Sequence, residues 1–406
     1  MTNNITIDKT KVALVRCDTY DEIEVYEAVK EGLKLIGGFS HFVKSGEKIV
    51  IKPNVLIGSA PEKCVCTHPS VLRAVGRLLL EAGIFVSYGD SSAFGGCETN
   101  MRKAGLKQVA DEIGIELADF DNGKVVVRDE AMMNKRFIVA NGVLDADGLI
   151  SLPKLKTHEF TVYTGAIKNQ YGCIPGVLKS QQHARFRSPQ DFAHMLVDLN
   201  MVIRPRLYIM DAIMAMEGNG PMSGSPRKLG VLLFSSDPLA LDSVACRLIN
   251  LDYSLVPTFE PGEKAGLGTY HENNIEIVGG NIGDFVCDDF KVMRKRRVIT
   301  PDTETGKGVK AAVRRWGSSF VKKKICQRPA IDKAKCTVCG TCVRYCPVVP
   351  KAVNWYRGKE SRPPVHDYNL CIRCFCCQEY CPEGAISVSE PLLGRFLFWL
   401  YGVVMR

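Results

Sequence analysis

No apolar run in this 406-residue chain reaches the roughly 18–20 residues that a membrane-spanning helix needs. The first residues, MTNNITIDKTK, are polar and lead straight into VALVRC, so no secretory leader is expected. No recognised DNA- or RNA-binding module accompanies the basic charge, and nucleic acid is not expected as a partner. Acidic residues are scarce in one place. Between positions 291 and 335 there are fifteen Lys and Arg against Asp302, Glu304 and Asp332, so most of the net charge of +9 sits there and the rest of the chain is close to neutral. Such a block marks a solvated linker, a membrane-surface contact or a docking site for an acidic partner. What the chain has in excess is cysteine. Seventeen Cys in a chain without a leader argue for reduced thiols and metal ligands in a cytoplasmic, anaerobic or reducing setting, not for a disulfide framework.

Eight of those Cys fall in two runs. They read Cys336-x2-Cys339-x2-Cys342-x3-Cys346-Pro347 and Cys371-x2-Cys374-x2-Cys377-x3-Cys381-Pro382, and the CPEGAI tail of the second is echoed by CPVVPKAV in the first. Two-residue gaps let three sulfurs converge on one face of an iron–sulfur cube. Zinc sites prefer two Cys-x-x-Cys pairs, a poorer match. The runs resemble bacterial two-cluster ferredoxins, in which the fourth Cys of each run reaches the other cluster. The resemblance implies two 4Fe-4S clusters, one on Cys336, Cys339, Cys342 and Cys381, the other on Cys371, Cys374, Cys377 and Cys346. Cys376 is left as a spare thiol. Cys64, Cys66, Cys97 and Cys173 are weighed as a third metal site against the commoner fate of buried small hydrophobes.

Residues 1–290 alternate strand-like and helix-like stretches, which predicts an α/β domain with a mostly parallel sheet, followed by a small α+β ferredoxin-like domain. The expected boundaries are 1–290 for the α/β domain, 291–330 for a basic linker with an amphipathic helix, 331–390 for the cluster domain and 391–406 for an apolar aromatic tail. Strands are expected at Lys11–Arg16, Lys48–Lys52, Ile84–Tyr88, Ile115–Phe120, Lys124–Arg128, Gly148–Leu152, Leu207–Met210, Leu229–Phe234 and Ile275–Val278. Ligands of parallel sheets sit beyond the carboxyl ends of the strands. Those ends are loaded with polar residues. Lys52, Asn54, Asp90, Lys156, Asn169 and Asn219 are candidate binders of a small anionic substrate, and Asp237 before Pro238 is an expected helix cap. Lys is a point charge suited to carboxylate or phosphate.

The motifs KPN, SLPKLKTHEFT, TGAIKNQYGCIPG, EGNGPMSGSP and SSDPLALDSVA resemble, in order, those of the domain-of-unknown-function 362 family. That resemblance implies the α/β fold and a site, and no settled reaction. The stretch from His158 through Lys168 to His183 is more distantly similar to the core motif of nickel-dependent lactate racemase. It implies a catalytic role for His158, a cofactor-bearing Lys168 and a metal-binding His183. Here the Ile174-Pro175-Gly176 segment lies about two residues further from Lys168, and only His68 offers a second upstream His. Both His suit proton transfer near neutrality.

The expected function is an iron–sulfur oxidoreductase that passes electrons between its clusters and a small anionic substrate or cofactor in the α/β domain. It would exchange electrons with a donor or acceptor protein. An electron carrier or assembly protein with a docking domain is the alternative, and a racemase-like metalloenzyme a weaker one. Segments 308–324 and 392–405, one a basic amphipathic stretch and the other apolar and aromatic, suit peripheral contact with the inner face of a membrane, packing on the main domain, or a dimer contact.

Overall fold

The computed structural model describes residues 9–92, 95–176, 178–294 and 326–393. The amphipathic stretch 308–324 and nearly all of the tail 392–405 therefore lie outside the described residues. Among those described, no helix is long and apolar enough to cross a membrane. The chain forms two compact units, Met1–Lys179 with Ala193–Arg294, and Ser180–Phe192 with Lys295–Arg406.

The first unit holds β1 (Thr10–Arg16), β2 (Lys48–Pro53), β3 (Phe85–Tyr88), β4 (Glu116–Leu117), β5 (Gly123–Val127), β6 (Arg136–Ala140), β7 (Gly148–Leu152), β8 (Lys154–His158), β9 (Val162–Thr164), β10 (Leu207–Glu217), β11 (Ser225–Ser235) and β12 (Ile275–Gly279). Ten of them make one sheet in the order β12-β1-β11-β10-β7-β2-β3-β4, with β8 beside β10 and β9 on β8. Neighbours run parallel through β10-β7-β2-β3-β4 and at β1–β12, and antiparallel where β11 meets β1 and β10. The fold is α/β with a mostly parallel, mixed sheet. Its central strands are buried on both faces, which is why Ile49–Ile51 and Leu149–Ile150 read as unbroken apolar runs. β5 and β6 form a separate antiparallel ribbon.

Helix ends follow local chemistry. Asp21 accepts from the Ile23 and Glu24 amides, and Asp237 accepts from those of Leu239 and Ala240, the expected cap. Pro69 opens the helix Pro69–Glu81, where its missing N–H costs nothing, and His68 caps it through Nδ1.

Three segments depart from the sequence expectation. The KLKTH stretch, taken for a polar segment after a strand, is itself β8 and is buried throughout. Asp211 lies inside β10, not after it, because β10 and β11 pair antiparallel well beyond their apolar cores, with an irregularity between Ala212 and Met214. The strand expected over Ile115–Phe120 shrinks to β4, an exposed edge of two residues.

The second unit contains β13 (Arg328–Ile331), β14 (Val353–Asn354), β15 (Val365–His366) and β16 (Ile386–Ser389), paired antiparallel as β13–β16 and β14–β15. Its two halves repeat with a 35-residue offset, Cys336 onto Cys371. Cys336 N donates to Asp332 O at 3.1 Å, and Cys371 N to Asp367 O at 3.0 Å. Val338 and Arg373 share a left-handed backbone (φ 60° and 61°), as do Gly340 and Phe375 (φ 72° and 59°). The helices Thr341–Arg344 and Cys376–Glu379 then follow in the same place in each half.

Candidate functional site

The carboxyl ends of β2, β7 and β3 bring Lys52, Ser151 and Asp90 together. Lys52 is fully buried, and its Nζ lies 2.7 Å from Asp90 Oδ1. The same ammonium donates to Asn169 Oδ1 at 3.2 Å and Pro53 O at 3.1 Å. Asn54 Nδ2 donates to Asn169 Oδ1 at 3.0 Å, and Asn54 Oδ1 accepts from Lys156 Nζ at 2.7 Å. Asn169 Nδ2 and Gln170 Nε2 both donate to Ser151 Oγ at 2.8 Å. Lys52, Asn54, Asp90, Lys156 and Asn169, five sequence-selected binders, thus share one buried hydrogen-bonded network. Strand geometry places Lys52 and Lys156, while the short helix Ala166–Asn169 places Asn169 and Lys168.

Two glycines make this approach possible. A Cβ on Gly172 would overlap Asp90 Oδ1 and come within 2.6 Å of Lys52 Nζ. One on Gly165 would overlap the Asp242 carboxylate and Tyr163 OH. Asp242, absent from the sequence-selected set, accepts from Ala166 N at 2.6 Å, Ile167 N at 3.2 Å and Tyr163 OH at 3.1 Å, so it anchors the turn that carries Lys168 and Asn169. Burial pushes its carboxyl up to about 7, against the pull of those three donors.

Lys179 was also missed. It is buried, and its Nζ donates to the Ser91 carbonyl. Burial pushes its ammonium down to about 8; Asp90 opposes that shift, and Lys52 and Lys168 add to it. Lys52, Lys156 and Lys179 thus stand in and around a network that contains the Asp90 carboxylate, with Lys168 close enough to act on Lys179. Charge of one sign is costly to bury, and an anion offsets it.

The remaining candidates have these settings. His158 sits at the β8–β9 turn, where Nδ1 accepts from Phe160 N at 2.9 Å and Thr161 N at 3.3 Å, leaving the ring proton on Nε2. Asn219 is in the turn between β10 and β11, whose Gly218 O accepts from Thr157 Oγ1 at 3.0 Å. His183 belongs to the second unit and stacks on Phe192 with ring centroids 4.5 Å apart. A second buried pair, Lys154 Nζ to Asp211 Oδ2 at 2.8 Å, is completed by Tyr20 OH, 2.8 Å from Asp211 Oδ1. Cys64, Cys66, Cys97 and Cys173 are all buried, and burial is the first cause raising each thiol. Among the described residues, no group of three or more His, Cys, Asp or Glu is placed to hold a single metal ion.

In the second unit, Cys336, Cys339, Cys342 and Cys381 line one cavity together with Ile331 and Ile386. Burial pushes the Cys342 thiol up to about 12, and the neighbouring Cys381, Cys339 and Cys336 add to the shift. Cys377 is raised well above its ordinary value by burial and then by Cys371, Cys374, Cys342 and Cys346. Cys336, Cys339, Cys342 and Cys381 thus share one cavity, and Cys371, Cys374, Cys342 and Cys346 all lie close enough to act on Cys377. Thiolates so crowded repel one another unless a cationic core lies between them, and this donor set fits an iron–sulfur cube. Thr341 Oγ1 is 3.3 Å from Cys339 Sγ, and Cys376, the spare thiol, hydrogen-bonds Cys374.

Residues 49–247 match the family described as domain of unknown function (DUF362), and residues 328–382 match a 4Fe-4S dicluster domain. A thylakoid-associated protein of Synechocystis sp. is 36 % identical over 257 residues, covering 63 % of this chain and 79 % of its own. Among solved structures, the lactate racemase apoprotein from Thermoanaerobacterium thermosaccharolyticum aligns with a TM-score of 0.39 and 12 % identity, over 61 % of this chain and 58 % of that one. A Thermotoga maritima protein aligns with a TM-score of 0.37 and 13 % identity, over 58 % and 60 %. This chain spans less than two thirds of either structure.

Proposed function

As the chain belongs to the DUF362 family and carries a 4Fe-4S dicluster domain, we propose that it is an iron–sulfur oxidoreductase whose substrate is a small anion held in the first unit. The dicluster domain is an iron–sulfur electron-transfer module, and bound clusters accept and release single electrons. Cys336, Cys339, Cys342 and Cys381 would hold one cluster, and Cys371, Cys374, Cys377 and Cys346 the other.

One observation carries the substrate reading: two buried ammonium groups, Lys52 and Lys179, gather beside the single carboxylate of Asp90 at the carboxyl end of the sheet. A carboxylate or phosphate there would accept hydrogen bonds from lysine ammonium groups and lower the cost of burying them. His158, with its proton on Nε2, is the group suited to hydrogen-bond negative charge that develops on a reacting atom. Covalent fusion keeps donor and acceptor at high effective concentration. A separate donor or acceptor protein closes the electron circuit.

The test uses the full chain purified without oxygen. Iron and sulfide are measured first; reoxidation of the reduced protein is then followed with small keto acids, and reduction of the oxidised protein with small hydroxy acids. Acceleration by one class of acid, lost in Lys52→Met and Lys168→Ala while iron is retained, is the expected result. If no acid alters reoxidation or reduction, and Lys168→Ala and His158→Ala leave electron transfer intact, the first unit is a docking module and the protein an electron carrier.

A further inference from the structure

The 35-residue repeat makes each half of the cluster domain a control for the other. Asp332 matches Asp367, Thr341 matches Cys376, and both of the latter bond the middle Cys of their run. One place where the match fails beside a ligand is an imidazole. His366, five residues before Cys371, has its Nε2 3.4 Å from Cys377 Sγ. Its counterpart, five residues before Cys336, is Ile331, which lines the cavity of the other ligand set. The imidazole is held in place. β15 pairs it with Val353, and its ring stacks on Tyr368 with an interplanar angle of 6°.

We propose that His366 separates the two clusters in reduction potential, making the one on Cys371, Cys374, Cys377 and Cys346 the easier to reduce. This rests on the ligand assignment above. A metal-bound thiolate carries no proton and can only accept, so the imidazole Nε2–H is the donor. Reduction adds negative charge to the cluster and its sulfurs, and an N–H aimed at one of them stabilises that charge. Ile331 offers the other set nothing. Arg373 and Glu379, both buried, also replace Val338 and the exposed Arg344 and act with opposite sign, Arg373 on Cys371 and Glu379 on Cys374; neither changes in the variants below, so the His366 effect is read separately. The electron therefore rests on the His366 side, and the other cluster is the stronger reductant.

The decisive measurement is a redox titration of the oxygen-free full chain followed by electron paramagnetic resonance, with iron and sulfide assayed beforehand. Two distinct midpoints are expected. His366→Ile should lower the higher one by about tenfold in the reduction equilibrium, about 59 mV for one electron, and leave the other in place. Ile331→His, which keeps every ligand and His366, should raise the lower one. Full iron with neither midpoint moved in either variant overturns the proposal. If His366→Ile loses iron, Ile331→His decides alone. A native protein without clusters would instead refute the ligand assignment, a separate failure.

Discussion

The Lys52 ammonium and the Asp90 carboxylate meet 2.7 Å apart, with side chains 0 % and 4 % exposed, at the carboxyl ends of two adjacent parallel strands. Both side chains are buried, so removing one partner strands the other. Asp90→Ala is expected to cost about 3–5 kcal/mol, and Lys52→Met a similar amount. The double variant should cost less than the sum of the two. Denaturant unfolding of all three proteins checks it; strict additivity would mean the pair is not coupled.

Asp242 gives a pH prediction. Its carboxyl is raised from 3.8 to about 7, so between those values the folded chain holds a proton that the unfolded chain has released. Stability should fall as pH rises through that window, by an amount on the order of a few kcal/mol, and level off above it. His68, lowered by burial to about 4, works in the opposite sense, since only the unfolded state binds its proton between about 4 and 6.5. The clean measurement is the difference in unfolding free energy between wild type and Asp242→Asn. That difference should slope across the window, and a flat one would show that Asp242 ionises normally.

Lys179 links anion binding to protons. Its ammonium is lowered to about 8, so near pH 9 the free protein holds it mostly neutral. A bound carboxylate should draw the proton back, giving uptake that approaches one proton near pH 9 and vanishes near pH 6. Calorimetry with a small hydroxy acid, in buffers of different ionisation enthalpy, measures this. Lys179→Met should abolish the uptake, and an uptake unchanged in that variant would place the proton elsewhere.

The crossing of Cys346 and Cys381 between halves is testable by iron content. Cys381→Ala should lower iron from about eight to about four atoms. Adding Cys336→Ala should remove no more, because both serve one cluster, whereas adding Cys371→Ala should empty the domain. The reverse pattern would mean that each run ligates its own cluster.

The 4Fe-4S dicluster domain was the most legible part of the chain, since cysteine spacing alone marks it. Strands with unbroken apolar runs, such as β2 and β7, were legible too. β8 was not. Its sequence KLKTH resembles a loop because its lysines meet distant partners, Lys154 the Asp211 carboxylate and Lys156 the Asn54 amide oxygen, which no local pattern reveals. Lys179 stands in the polar stretch KSQQH and reads as a surface cation until burial is seen. Asp242 was quoted within a motif, but the helix it caps lies more than seventy residues away. Lys52, Asn54, Asp90, Lys156 and Asn169 could be picked as candidates from the ends of strands; only the fold joins them.

Gly172 carries a consequence for sorting relatives. Because any side chain there would collide with Asp90, a homologous chain with a larger residue at that column cannot keep the Lys52–Asp90 pair as it stands here. That single column therefore divides the family into members that retain this charged floor and members that have rebuilt it, and the two groups should differ in the anions they accept.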